Sequence, residues 1–196
     1  MENVGWQRYC FRRNRKQSLH LSQRDWKHKI TGTSSGNGKW NIIGTNIACN
    51  GDIDLLLDYS TVRGGNRPSM ELNCYSYMFY GCTSLTTAPA LPATTLVSRC
   101  YYSMFQDCTS LITAPALPAT RLVRYCYYSM FQDCTKIKLS TTASGTYTKS
   151  YRIPKSGTGT TATKAMDNMF ANTGGTFKET PTINTTYYLD KSNTIV

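Results

Sequence analysis

The residues of this 196-residue chain whose types and spacing bear on chemistry are eight cysteines, two histidines, a few recurring aspartates and a run of paired tyrosines. Six of the cysteines keep one spacing: Cys74 with Cys82, Cys100 with Cys108 and Cys126 with Cys134 lie eight apart, with Met78, Met104 and Met130 midway. A C-x7-C spacing lacks the tight C-x2-4-C pairing of zinc sites, so no metal is expected. On a helix, positions i, i+4 and i+8 fall near one face, and eight helical residues span about 12 Å, too far for a disulfide. The spacing therefore predicts small apolar thiols in buried ladders, with disulfides between neighbouring copies as the alternative. His20 and His28 have no local Cys, Ser or carboxylate constellation of a triad or metal site. Asp107 and Asp133 share a repeat position that holds Gly81 in the first copy, which marks a surface turn and not a catalytic pair. Ser156-Gly157-Thr158-Gly159-Thr160 lacks the lysine and spacing of a phosphate loop. The chain reads as a non-enzymatic protein with no cofactor.

Binding is the chemistry that remains. Tyr75, Tyr77, Tyr101, Tyr102, Tyr127 and Tyr128 stand beside the repeated cysteines; tyrosine offers large, rigid contact area with a polar tip, suited to protein or sugar surfaces. Each unit must hide some of these rings and present others. Arg99, Arg121 and Arg124 lie where the copies vary, and structural positions repeat while contact positions drift, so they join the tyrosines as candidates. The formal net charge is +11, and residues 1–30 hold Arg8, Arg12, Arg13, Arg15, Lys16, Arg24, Lys27 and Lys29 against Glu2 and Asp25. With Trp6, Tyr9, Phe11 and Trp26 interleaved, this segment, and Arg8, Arg12, Arg13, Arg15 and Lys16 in particular, suits a polyanion such as nucleic acid, teichoic acid or sulfated glycan. A solvated basic arm is the competing reading.

The elements that must position these groups are repeats. Cys74-Tyr75-Ser76-Tyr77-Met78-Phe79-Tyr80-Gly81-Cys82-Thr83-Ser84-Leu85 recurs 26 residues later as Cys100-Tyr101-Tyr102-Ser103-Met104-Phe105-Gln106-Asp107-Cys108-Thr109-Ser110-Leu111, and Cys126 opens a third copy that decays after Thr135. A fixed period in the twenties predicts stacked units, each burying its apolar face only against its neighbours, with Phe79, Phe105 and Phe131 as an aromatic column in the core. Each unit reads as helix, turn, short extended segment, turn. Two prolines in Ala88–Thr94 and again in Ala114–Thr120 keep the extended piece short, Thr94 and Thr120 stand as caps for the next helix, and successive strands are expected to pair in parallel through right-handed crossovers.

Ahead of the repeats, Thr31–Gly38 is a dense loop signal between strands expected at about 26–31 and 39–49, and a short helix is expected over Asp52–Tyr59. Behind them, Ala165–Phe170 echoes the Met-Phe pair, but Met169 follows Met130 by 39 residues, so an insertion of about thirteen residues precedes a degenerate closing unit. Thr186–Asp190 reads as a further strand over that end.

The words M-F-x-x-C-T-S-L and A-P-A-L-P-A-T-x-L, in Met78–Leu85 with Ala88–Leu96 and Met104–Leu111 with Ala114–Leu122, resemble the BspA-type leucine-rich repeats of gut bacterial surface proteins and their phages. The resemblance covers about residues 69–139, and residues 30–68, with Gly38-Lys39-Trp40-Asn41-Ile42-Ile43-Gly44-Thr45, are similar to the leader that often precedes such arrays. It implies a curved solenoid used in adhesion or host recognition, with no catalytic residues to carry over. The fold expected is α/β: a short leucine-rich-repeat solenoid of parallel short strands and helices over 69–139, flanked by a basic β-rich element over 1–68 and an insertion with a capping repeat over 140–196.

Charged residues are only 17% of the composition, which with plentiful Thr, Ser, Asn, Gly and Tyr suits a cell-surface, secreted or virion-associated protein. No secretory signal is visible at the N-terminus, and no apolar run approaches the roughly 20 residues of a membrane span. Two functional readings stand: a recognition or adhesion module that binds a protein or glycan receptor through the repeat surface, and an intracellular phage or bacterial protein that holds nucleic acid or an acidic partner through its basic leader. Short arrays with imperfect ends also admit a homo-oligomer, end to end or through an edge strand.

Overall fold

The computed structural model describes residues 18–20, 47–56 and 59–196. The basic residues Arg8, Arg12, Arg13, Arg15 and Lys16, and the strand expected at 26–31, lie outside the described residues. In chain order the elements are β1 (Ser18–His20), β2 (Ile47–Asn50), one turn of 3-10 helix at Ile53–Leu56, α1 (Tyr59–Arg63), β3 (Leu85–Thr87), β4 (Thr113–Ala114), β5 (Arg121–Leu122), β6 (Leu139–Ser140), β7 (Tyr147–Arg152), β8 (Thr160–Thr161), β9 (Thr186–Asp190) and β10 (Thr194–Ile195). No helix among the described residues is long and apolar enough to cross a membrane.

The α/β leucine-rich-repeat solenoid of strands and helices is not what this chain builds. The repeat segments expected to be helical, those that carry the Cys-Met-Cys spacing, are instead ribbons of overlapping β-turns over about residues 71–82, 97–108 and 123–134. In the second ribbon the amides of Cys100, Tyr102, Met104, Gln106 and Cys108 each bond the carbonyl three residues back, at 3.1–3.3 Å. The intervening amides leave the ribbon altogether: Tyr101, Ser103, Phe105 and Asp107 donate to the carbonyls of Cys126, Tyr128, Met130 and Gln132 in the next layer, at 2.8–3.0 Å. An α-helix would spend both sets of amides internally; here half of them bind the layers to one another. The ribbon repeats every four residues, because one residue in four adopts a left-handed backbone: Asn73, Tyr77 and Gly81, then Arg99, Ser103 and Asp107, then Tyr125, Ser129 and Asp133, then Lys164, Asn168 and Asn172. Inward side chains follow that repeat in pairs, Cys100 with Tyr101 and Met104 with Phe105, and are fully buried. Tyr, Ser, Phe, Asp and Cys are all indifferent helix formers, so intrinsic preference offers little resistance to this geometry.

Like side chains from successive layers touch. Phe79, Phe105, Phe131 and Phe170 form one column with centroid spacings of 5.5, 5.6 and 5.5 Å and planes within 10° of parallel. The seven described cysteines are free thiols, all buried except half-buried Cys74. Burial pushes the Cys126 thiol up to about 12, so these sulfurs stay protonated apolar filler. The Sγ of Cys108 and of Cys134 donate to the carbonyls of Phe79 and Phe105, each at 3.0 Å.

On the other side of the stack the expected continuous parallel sheet is broken into small pieces. β3 joins β2 and β1 in a three-stranded parallel sheet, while β4 pairs not with β3 or β6 but with β10. A backbone bond from the Ile112 amide to the Thr86 carbonyl, at 3.0 Å, links the first two layers there. The C-terminal segment enters between the second and third layers, and wholly buried Asn193 fills the gap: its Nδ2 donates to the carbonyls of Ile112 and Lys136 at 3.0 and 2.9 Å, and its Oδ1 accepts from the Lys138 amide at 3.0 Å. β5 pairs in parallel with β8, and β6, β9 and β7 form an antiparallel sheet in that order. The expected helix over Asp52–Tyr59 is replaced by the 3-10 turn and the separate α1, and no helix follows the Thr94 or Thr120 caps.

The fourth ribbon closes the stack. Its carbonyls at Ala165, Asp167, Met169 and Ala171 accept from the third layer, while its outward amides at Asn168 and Phe170 are taken by Thr180 Oγ1 and the Glu179 carbonyl, at 2.9 and 3.3 Å. The degenerate Gly174-Gly175 is explained by close approach. A Cβ at Gly174 would lie 2.0 Å from the Thr135 carbonyl oxygen, and one at Gly175 would lie 2.2 Å from the Leu139 amide nitrogen.

Candidate recognition surface

The ribbon repeat decides which tyrosines reach solvent. The first tyrosine of each pair turns inward: Tyr75, Tyr101 and Tyr127 are each 1% exposed and stack at 5.4 and 5.9 Å. These three, expected among the contact residues, are core. Tyr75 Oη donates to Asp54 Oδ1 at 3.0 Å, whereas the Tyr101 hydroxyl is buried with no hydrogen-bond partner among the described residues. Burial raises the Tyr101 and Tyr127 hydroxyls well above the ordinary tyrosine value, which keeps both neutral.

The second residue of each pair faces out. Tyr102 and Tyr128 are half-buried and lie face to face, 4.9 Å apart and 7° from parallel. In the first layer Ser76 holds that position, and the space is met by Tyr77, one residue on, whose ring sits 5.3 Å from Tyr102 at 57°. In later layers Ser103 and Ser129 replace Tyr77 and are buried. Two tyrosines not singled out from the sequence complete the surface. Tyr80 packs edge-on to Tyr77 at 5.8 Å, and Tyr125 packs edge-on to Tyr128 at 5.6 Å and to Tyr102 at 6.2 Å. Tyr80 stands where later copies carry Gln106 and Gln132, and Tyr125 where others carry Asn73 and Arg99. The drift between copies that flagged Arg99 and Arg124 was therefore the signal for these two as well.

Five rings from three layers thus form one continuous partly exposed cluster, and its polar groups are oriented. Asn168 Nδ2 donates to Tyr128 Oη at 3.4 Å. A hydrogen bond to Asp107 raises the Tyr80 hydroxyl, and desolvation, with the neighbouring Tyr77, pushes Tyr102 up to about 12. Tyr125 differs from the others. The guanidinium carbons of Arg99 and Arg124 stand 5.1 and 4.8 Å from its centroid, Arg124 Nη2 donates to its Oη at 3.2 Å, and its hydroxyl is held below the ordinary tyrosine value. The Arg124 hydrogen bond is the main cause, followed by the charges of Arg124, Lys164 and Arg99.

Of the residues expected to make contacts, the structure therefore brings Tyr77, Tyr102, Tyr128, Arg99 and Arg124 together and withdraws Tyr75, Tyr101 and Tyr127. Arg121 is exposed on β5, where its backbone pairs with Thr160 of β8, and among the described residues no ring contact joins it to the cluster. No family model, no curated protein and no solved structure matches the chain.

Proposed function

We propose that this protein is a non-enzymatic recognition module that binds a protein or glycan through the tyrosine surface. The observation that carries the reading is the five-ring cluster of Tyr77, Tyr80, Tyr102, Tyr125 and Tyr128, built by consecutive layers and left partly open to solvent. Rings held by their neighbours lose little side-chain entropy when a ligand arrives, which is how aromatic surfaces gain affinity. The hydroxyls at their rims supply hydrogen bonds without moving. The resemblance of the repeat words to adhesive surface proteins supports the same reading and a place on a cell surface or virion.

Tyr102→Ala with Tyr128→Ala tests it. These rings pack on the outside, so the double variant should keep a cooperative unfolding transition while losing at least about tenfold in binding, roughly 1.4 kcal/mol, on glycan and protein arrays and on intact host cells. Binding that survives the removal of both rings would place recognition elsewhere. Fractionation adds an independent check, since a pool confined to cytosol and bound to nucleic acid would favour the basic leader over the tyrosine surface.

A further inference from the structure

Four residues occupy one repeat position on successive layers: Asn73, Arg99, Tyr125 and Lys164. All four have left-handed backbones, with φ of 61°, 59°, 61° and 59°. Asparagine and glycine adopt that conformation at little cost, while Arg, Tyr and Lys do so against Cβ sterics. The chain nonetheless places two cations and a tyrosine there, with Arg124 beside them. None of the three cations makes an ion pair among the described residues, where the only carboxylate–cation contacts are those of Arg67. Instead both guanidinium groups converge on the single ring of Tyr125, at 5.1 and 4.8 Å from its centroid. Two like charges each about 5 Å from one point lie within roughly a Debye length of one another, so they repel until an anion comes between them. Left-handed residues recur throughout the ribbons, so it is the convergence of positive charge, with no ion pair to these cations among the described residues, that describes a site completed by a ligand.

We infer that Arg99, Arg124 and Lys164, grouped around Tyr125, bind the carboxylate or sulfate groups of an acidic polysaccharide lying along the stack. The inference rests on the tyrosine surface being the recognition face and names its ligand. The column recurs once per layer, so a linear polymer with repeated charges meets a basic group on the second layer, at Arg99, another on the third, at Arg124, and another on the fourth, at Lys164. Adjacent hydroxyls of Tyr102 and Tyr128 suit a hydroxyl-rich chain. Single-stranded nucleic acid fits less well, because it needs open aromatic faces for its bases, and the facing surfaces of Tyr102 and Tyr128 are closed on each other at 4.9 Å.

The full chain is titrated at two salt concentrations with dextran sulfate, polygalacturonate, uncharged dextran and a thymidine oligonucleotide. One or both acidic polysaccharides should bind at least about tenfold tighter than dextran, and the comparison between them separates sulfate from carboxylate. Arg99→Ala with Arg124→Ala should abolish that preference and flatten its salt dependence. Lys164→Ala should reduce it, and Arg12→Ala, Arg13→Ala, Arg15→Ala and Lys16→Ala together should leave it in place. The inference is overturned if the leader variant loses the preference while the Arg99/Arg124 variant keeps it, if the oligonucleotide outcompetes both polysaccharides, or if neither acidic polysaccharide binds. Binding of an uncharged or protein ligand that depends on Tyr102 and Tyr128 but not on Arg99 and Arg124 would remove this inference and leave the recognition surface standing. Arg99→Asn with Tyr125→Asn, which eases both strained positions, controls for folding and should raise the unfolding temperature while losing the acidic preference.

Discussion

The rings of Phe79 and Phe105 lie 5.5 Å apart and 4° from parallel, although 26 residues of chain separate them. Phe105 meets Phe131 in the same way at 5.6 Å, so it is packed on both faces. Truncating a buried, two-sided phenylalanine removes its transfer free energy and leaves a cavity. Phe105→Ala is expected to cost about 3–5 kcal/mol, and Phe105→Leu under half of that. Urea unfolding at unchanged m-value measures both; a cost for Phe105→Ala under about 1 kcal/mol would contradict this packing.

Asp107 occupies the position of Gly81, and both are left-handed, with φ of 62° and 72°. Asp107→Gly relieves a steric cost of about 1–2 kcal/mol but frees the unfolded chain by roughly 0.4–1 kcal/mol and gives up the hydrogen bond with Tyr80. These nearly cancel, so a change within about 1 kcal/mol is expected. Asp107→Val has the steric cost without relief and should destabilise by about 2 kcal/mol or more. Thermal unfolding of the pair gives the comparison, and equal stability of the two variants would rule out the turn ribbon.

Asn193, in the C-terminal segment, bonds the second and third layers at once. Asn193→Ala takes their side-chain partner from the Lys136 carbonyl and the Lys138 amide, while the Ile112 carbonyl keeps the Thr194 amide at 3.1 Å, and each buried orphan costs about 1–3 kcal/mol. Asn193→Asp keeps the acceptor but sets a carboxylate against two carbonyl oxygens, so it should be at least as harmful. Hydrogen exchange at the Lys138 amide reports the loss directly, and protection retained in both variants would contradict the role.

Asp190 accepts from the Ser192 hydroxyl and amide and from the Thr146 hydroxyl, and these bonds, Ser192 first, hold its carboxyl down to about 2. A carboxyl lowered in the folded state stabilises above its unfolded value of about 3.9 and loses that contribution as the pH falls through about 2. Wild type should therefore be more stable than Asp190→Asn at pH 5, with the gap closing between about pH 4 and pH 2. A gap that stays constant down to pH 2 in thermal melts would show that the Asp190 charge contributes nothing.

The sequence by itself determined the layers: the 26-residue period, the Phe79–Phe105–Phe131 column and the drift at Arg99 and Arg124 were all legible, because stacking brings identical positions into contact. It also foretold that some tyrosines must be hidden. It did not say which, nor that the ribbons are turns. Cys, Met and Cys at i, i+4 and i+8 satisfy a helix of 3.6 residues per turn, and they equally satisfy a ribbon whose left-handed residue returns every fourth position; spacing alone cannot separate the two. Only the tertiary structure decides, since half the amides of each of the first three ribbons find their acceptors in another layer. The same holds for β4, whose partner is β10 and not the neighbouring repeat. Local pattern records which side chains are apolar, but hydrogen-bond partners far apart in sequence are chosen by whichever segment reaches an open edge, and here residues 193–196 reached it.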